Sequence, residues 1–288
     1  MSLHRADTWL RWSSRAAAVC AAAVLLAVAV VVVAGAWPGI RTFGITAFLV
    51  DTTGHPSNGR VGALALIAGT AAVTALALLL ALPLGAAAGI ASGWLLAPRA
   101  AGVFRLLLLV AAGIPSVVLG LWGLTALVPL LAHWRAPGTS LLAAGIVLAL
   151  MLAPTVAVIV DAALRSVSAE QRRTAVALGL SRWGALASAG RSALRSALLT
   201  SVIISTARAL GETMAVLLVA GNVVQVPGSV LDPVRTLTGG IALEMAYATG
   251  DHRAALFVLG LIALAVVAAL LLLLRRWAGD DRDGAVHV

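Results

Sequence analysis

Apolar positions along this chain gather into six long runs: residues 16–36, 63–93, 104–132, 140–163, 194–220 and 254–276. Charged residues gather between the runs. A helix needs about 20 predominantly apolar residues to cross a bilayer, so each run predicts one crossing. The second and third are longer than required and have room to tilt. Lipid admits only helices or closed barrels. Even the β-branched stretch at 28–33 is too unbroken for the alternation of a barrel strand. The pattern therefore predicts an all-α membrane protein of six transmembrane helices. Its parts are a segment 1–15, a membrane domain 16–276 and a polar tail 277–288 that carries Asp280, Asp281 and Asp283.

Tryptophans mark the predicted boundaries. Trp12 and Trp37 bracket the first run, and Trp94, Trp134 and Trp277 close the second, third and sixth, as in an aromatic belt. Gly85, Gly89 and Gly93 recur at four-residue spacing in the second run. That spacing either lets a neighbouring backbone come close or reflects simple tolerance of glycine in an Ala-rich helix. Ala34-Gly35-Ala36 resembles a signal-peptidase site. The apolar run that holds it, 21 residues over 16–36, exceeds a signal-peptide core, so the first span is expected to be retained.

Composition agrees with the pattern. Of 288 residues, 61% are hydrophobic and 11% charged, with a mean hydropathy of +1.06, against roughly 25% charged in a soluble domain. These values exclude an ordinary soluble enzyme, a disordered chain and a secreted disulfide scaffold. All 20 basic residues are Arg, and the net charge is +9. With no basic run interleaved with aromatics, the excess is read as loop charge in a bilayer, not as a nucleic-acid surface. With the N-terminus placed in the cytoplasm, 14 Arg fall inside and five outside. Both termini are therefore expected in the cytoplasm.

Candidate chemistry is sparse. Cys20 is the one cysteine, and His4, His55, His133, His252 and His287 lack ligand spacing. No phosphate-binding loop, dinucleotide fingerprint or HExxH stands in the chain. No catalytic residue, cofactor or metal is expected. Pro129 and Pro154 are read as kinks or helix ends, Asp161 and Arg165 as a local i, i+4 pair, and Glu244 and Asp251 as solvated groups of external loops.

The loop at 164–193 is the most informative. Ser168 and Gln171 fit a capping box. Gly179 suits a left-handed helix end, and Ser181 can cap a second short helix. Ala175, Val176, Leu178, Leu180, Trp183 and Leu186 offer an apolar surface. Such an element either docks on a protein partner or rests on lipid headgroups. The stretch 172–183 is similar to the EAA loop of ABC importer permeases, whose pattern is Glu-Ala-Ala, three residues, then Gly. Arg173 stands where the family has Glu and Thr174 at the first Ala, while Ala175 and Gly179 match. The family's later Leu-Pro falls on Arg191-Ser192 and is absent. The resemblance implies a cytoplasmic coupling helix seated in an ATPase subunit, with Arg173, Thr174, Ala175, Gly179 and Ser181 at the contact.

Arg208-Ala209-Leu210-Gly211-Glu212-Thr213-Met214-Ala215-Val216 lies in the fifth run. Charges at such depth cost about 3 kcal/mol each on insertion scales. Four residues apart in a continuous helix, Arg208 and Glu212 would share a face, in the less favourable order for helix stability. They are either a pair locking two helices or groups lining a path, and intramembrane ionisable residues favour the path. Arg208 offers a planar fork to an oxyanion. Glu212 could steady that fork or accept a proton-bearing oxygen.

This stretch resembles the PstC-type permease subunit of phosphate ABC importers. So do Gly113-Ile114-Pro115-Ser116-Val117-Val118-Leu119-Gly120-Leu121-Trp122-Gly123, and Asp232-Pro233 with Arg235-Thr236-Leu237-Thr238. The sister PstA-type subunit has Ala-Pro after Gly-Glu-Thr, where this chain has Met-Ala-Val. The resemblance spans roughly residues 10–276. It implies a six-helix permease of the bacterial plasma (inner) membrane, bounded by lipid and paired with a PstA-type sister. Two PstB-type ATPase subunits would bind below, and a PstS-type binding protein would deliver phosphate. It also implies Arg208 and Glu212, with Thr213, in the substrate path. Pro115 and Ser116 are weaker path candidates, with a packing kink as the plainer reading. Rival readings are a permease for molybdate or sulfate, and a self-sufficient secondary transporter.

Overall fold

The computed structural model describes residues 3–50, 54–55 and 60–283; the tail beyond 283 lies outside the described residues. Helix α1 (Leu3–Phe43) is followed by α2 (Ile45–Val50) and a two-residue antiparallel pair, β1 (Gly54–His55) with β2 (Arg60–Val61). Helix α3 (Leu64–Ile90) ends in a wider π-turn over Ala91–Leu95. Helices α4 (Pro98–Ala112), α5 (Ser116–Trp122) and α6 (Val128–Ala132) follow, the last two joined by a π-helical segment at Gly123–Leu127. Helix α7 (Leu141–Ser166) precedes two short helices, α8 (Ala169–Ala177) and α9 (Arg182–Ala189). Then come α10 (Arg191–Gly211), α11 (Met214–Val219), α12 (Leu237–Glu244) and α13 (Gly250–Asp283).

Among the described residues, five helices are long and apolar enough to cross a membrane, and the pair Pro98–Ala112 with Ser116–Ala132 supplies a sixth crossing. The all-α, six-span architecture is thus as the runs predict, with two corrections. The third run is not one rod. It bends by 88° at its break, where Pro115 is the N-cap of α5 and withholds a backbone donor. The fifth run, expected over 194–220, ends as a helix at Gly211 and resumes at Met214.

The core sits between α3 and α7, and the glycine spacing explains why. A Cβ on Gly85 would lie 2.6 Å from the Ala153 carbonyl oxygen, and one on Gly89 2.6 Å from that of Ala157. The three glycines therefore let α7 lie against α3, as close approach requires. Val73, Ala77, Val147, Leu148 and Leu152 fill the seam. Pro154 lies within α7, and Pro129 lies in the first turn of α6. A second cluster joins α1, α12 and α13 through Ala36, Leu237, Leu256 and Val258. There Gly35 faces the Phe257 ring. Most of α1 before Ala36 is exposed in the single chain.

Candidate functional site

Two places bring the singled-out residues together: the break between α10 and α11, and the α8–α9 segment.

At the break, Arg208 occupies the last turn of α10, while Glu212 is its C-cap with an extended backbone (φ −73°, ψ 127°). Arg208 and Glu212 therefore do not share a helix face, which corrects the reading from spacing. Glu212 Oε1 accepts a hydrogen bond from the Ala215 N–H at 3.1 Å and so caps α11. The carboxylate thus sits at a helix N-terminus and the guanidinium at a helix C-terminus, each at the dipole end that favours it. That placement removes any need for the two to pair, and among the described residues neither has an ion-pair partner. Arg208 Nη1 donates to Thr155 Oγ1 on α7 at 3.1 Å, and the residue is otherwise exposed. Sequence reasoning missed Thr155, whose 53-residue separation from Arg208 left no local signal.

Further bonds hold the break open. Thr238 Oγ1 of α12 donates to the Glu212 carbonyl oxygen at 3.1 Å, and Thr213 Oγ1 to that of Gly211 at 3.4 Å. A Cβ on Gly211 would meet nothing within 4 Å. The other broken span leans on this one: a Cβ on Gly120 of α5 would lie 2.8 Å from Ala215 Cα. Pro115 is exposed and Ser116 half-buried at the head of α5. The structure thus places Pro115 and Ser116 at a break of their own, packed through α5 against α11.

The α8–α9 segment has the predicted local structure. Ser168 Oγ accepts from the Gln171 N–H, and Gln171 Oε1 accepts from the Ser168 N–H. Gly179 has φ +73°, which an L side chain tolerates poorly. Ser181 Oγ accepts from the Gly184 N–H at 3.1 Å. Arg173, Thr174, Gly179 and Ser181 are exposed. Val176, Leu178, Leu180 and Trp183 form an exposed apolar patch, but Ala175 and Leu186 are buried within the chain and do not extend it.

This segment is tied to the end of α3. The Arg172 guanidinium stacks over Trp94 at 4.0 Å from the ring centroid. Its Nη2 donates to the carbonyl oxygens of Gly93 and Leu164. Burial there pushes its pKa down from the ordinary arginine value. Trp94 Nε1 donates to the Arg182 carbonyl oxygen at 3.1 Å, and Arg182 Nη1 to that of Leu95 at 3.3 Å. Trp94 is therefore more than the belt residue its position suggested.

Close by, Asp161 is 1% exposed and carries more than a local pair. Its carboxylate accepts from Arg165 Nε at 2.9 Å, Arg105 Nε at 2.9 Å and Nη2 at 3.0 Å, and Ser92 Oγ at 2.8 Å. It joins α4, α7 and the π-turn. On the opposite end of the bundle, Glu244 is not simply solvated. Its carboxylate binds Arg235 Nη1 at 2.7 Å and His252 Nε2 at 3.0 Å. Asp251 is exposed, as expected. Asp232 organises the loop before α12. Its Oδ2 accepts from the Gly228 and Ser229 N–H groups at 2.9 and 2.7 Å, and its Oδ1 from Arg135 at 2.7 Å. Desolvation pushes its pKa up, but these donors outweigh it and hold the carboxyl below the ordinary range. Among the described residues, no three His, Cys, Asp or Glu side chains are arranged to hold a metal.

Residues 81–280 match the profile of the binding-protein-dependent transport system inner membrane component. The phosphate transport system permease protein PstC of Mesorhizobium japonicum is 31% identical over 97% of this chain and 92% of its own length. The protein of the same name from Haemophilus influenzae is 31% identical over 88% of this chain and 86% of its own. The probable ABC transporter permease protein YqgH of Bacillus subtilis is 37% identical over 82% and 78% respectively.

Proposed function

The chain belongs to the family of binding-protein-dependent transport system inner membrane components, and on that premise we propose that it forms half of the pathway of an ATP-driven phosphate importer. It is a multi-pass inner-membrane protein and a permease subunit, not an enzyme. A PstA-type permease supplies the other half of the pathway. Two PstB-type ATPase subunits drive it, and a PstS-type protein delivers phosphate. Both termini lie in the cytoplasm, the side on which 14 of the Arg fall.

One observation carries the substrate reading. Arg208 is exposed on a membrane-crossing helix, anchored by one nitrogen to Thr155 and neutralised by no carboxylate among the described residues. A charge at that depth needs a partner, and the uncommitted N–H groups of its guanidinium suit two oxygens of a phosphate. Glu212 and Thr213 hold the helix break beside it. The α8–α9 segment, with Arg173, Thr174, Ala175, Gly179 and Ser181, passes the ATPase stroke to the bundle. Ala175 acts there through internal packing, since it is buried.

Uptake of radiolabelled phosphate tests this reading, in cells lacking their own high-affinity system. The chain is expressed with sister permease, ATPase and binding protein, then with each omitted in turn. Uptake requiring all four is the expected result. Uptake by this chain alone would make it a secondary transporter, and an assembled complex that moves molybdate or sulfate but not phosphate would reassign the substrate.

A further inference from the structure

We infer that Arg172 and Trp94 form the joint through which movement of the α8–α9 segment is handed directly to α3. The inference rests on the reading above, in which that segment receives the stroke of an ATPase.

The covalent path from α8 leads elsewhere. Going back along the chain, α8 follows α7 through the short link at Val167 and Ser168, and going forward α9 leads through Gly190 into α10. Neither route enters α3 along the chain, and α7 and α10 meet it only by side-by-side packing. The non-covalent contacts supply what the chain order lacks. The Arg172 guanidinium lies between two helix C-termini, donating to Leu164 near the end of α7 and to Gly93 in the π-turn that ends α3. Helix C-termini carry partial negative charge and unsatisfied carbonyls, so one cation serves both. The Trp94 ring covers the flat face of the same guanidinium at 4.0 Å, where a desolvated cation is held strongly.

The second half of the segment is fastened to the same turn. Trp94 donates to the Arg182 carbonyl oxygen at 3.1 Å, and Arg182 returns a bond to that of Leu95 at 3.3 Å. Both short helices therefore grip one turn, at Gly93, Trp94 and Leu95. That turn is itself made fast to the bundle, since Ser92 Oγ donates to Asp161 at 2.8 Å. A Cβ on Gly93 would lie 3.1 Å from the Asp161 carbonyl oxygen. A push on α8 or α9 therefore reaches α3 and α7 together. Arg172 and Trp94 are positioning residues, remote from the substrate path at Arg208.

The test uses the whole complex in phospholipid vesicles and reads ATP hydrolysed per phosphate imported. Trp94→Leu and Arg172→Gln are expected to hydrolyse ATP near the wild-type rate while import per ATP falls about tenfold, the scale of a lost desolvated cation–π contact. A purely structural role would lower both rates together and leave the ratio unchanged. Trp94→Phe keeps an aromatic face and Arg172→Lys keeps the charge, and these carry the same comparison if the harsher pair fails to assemble. For these the expected loss of import per ATP is about threefold. A wild-type ratio in both mild variants, or in either harsh variant that assembles, would overturn the joint. A wild-type complex that imports phosphate without ATP would overturn the underlying reading, and the joint with it.

Discussion

Arg208 and Glu212 stand four positions apart on either side of a helix end, and each binds something other than its neighbour: Thr155 for the arginine, the Ala215 N–H for the carboxylate. The two side chains consequently have separable roles. Arg208→Ala is expected to abolish phosphate uptake while the complex still assembles, measured by co-purification of the sister permease alongside uptake. Normal uptake by this variant would remove Arg208 from the path.

Thr155→Val keeps the shape of the side chain and removes the acceptor for Arg208 Nη1. A neutral acceptor to a charged donor contributes about 1.5–3 kcal/mol where it is well sheltered. At this exposed guanidinium about 1 kcal/mol is the better figure. The half-saturating phosphate concentration for uptake should rise roughly fivefold, with complex assembly unchanged. Glu212→Ala instead removes a helix cap, worth about 1 kcal/mol, and should lower the melting temperature of the purified complex, whereas Glu212→Gln retains an oxygen acceptor and should not.

Asp161→Asn should be among the more damaging single changes in the chain. Asp161 is buried, and Arg105 and Arg165 would keep their charge without a counter-charge. Removing one partner of a fully buried pair costs about 3–5 kcal/mol. Because Arg105 and Arg165 are 27% and 50% exposed at their side chains, about 1–3 kcal/mol is expected here. Thermal unfolding in detergent reads it. Arg105→Ala should destabilise more than Arg165→Ala, since Arg105 makes two bonds to the carboxylate and is the less exposed.

The loop before α12 should respond to acid. The Asp232 carboxyl is held below its ordinary range, so its contribution is complete above the unfolded value of about 3.9 and is lost as pH falls through the lower folded value. Hydrogen exchange at the Gly228 and Ser229 amides should stay slow from neutral pH down to about 4 and show added local opening below it. Asp232→Asn should open the loop at neutral pH. Equal protection in the variant would contradict the assignment.

Two glycines should behave oppositely on substitution by alanine. Gly89 has no room, since its Cβ would lie 2.6 Å from the Ala157 carbonyl oxygen and from Val160 Cβ. Gly89→Ala should therefore cost about 1–3 kcal/mol by forcing α3 and α7 apart. Gly179 has open space and only its positive φ to lose, so Gly179→Ala should cost about 1–2 kcal/mol, confined to the α8–α9 segment. Hydrogen exchange separates a global effect from a local one.

The local chemistry of this chain was legible in its sequence. The Ser168–Gln171 capping box, the left-handed Gly179 and the Ser181 cap each depend on residues within three positions of one another, so spacing alone specifies them. The six crossings were legible because apolar length is what a bilayer demands. The end of α10 was not. Glycine is tolerated inside membrane helices, and the apolar run continues through Met214–Val219, so hydropathy reads across a break that Glu212 and Thr238 create by hydrogen bonding. Arg105 with Asp161, and Arg172 with Trp94, were equally invisible. Their separations of 56 and 78 positions are set by how α3, α4 and α7 pack, and no periodicity within one helix encodes that. Glu244 read as solvated for the same reason, its partners being identified by the folding of the loop before α12 against α13.

The π-turn at Ala91–Leu95 also fixes a counting rule. Such a turn holds about one residue more than an α-turn, and each residue advances a helix by roughly 100°. Because the turn takes up its extra residue within one revolution, the segment after it keeps its phase; deleting a single residue from α3 ahead of the turn, with the turn kept, would swing whatever follows by more than a quarter-turn. Trp94 would then point away from Arg172, and Ser92 away from Asp161, although all four side chains were still present. At this point the chain stores information as phase, and it should accept many exchanges of residue before it accepts one change of length.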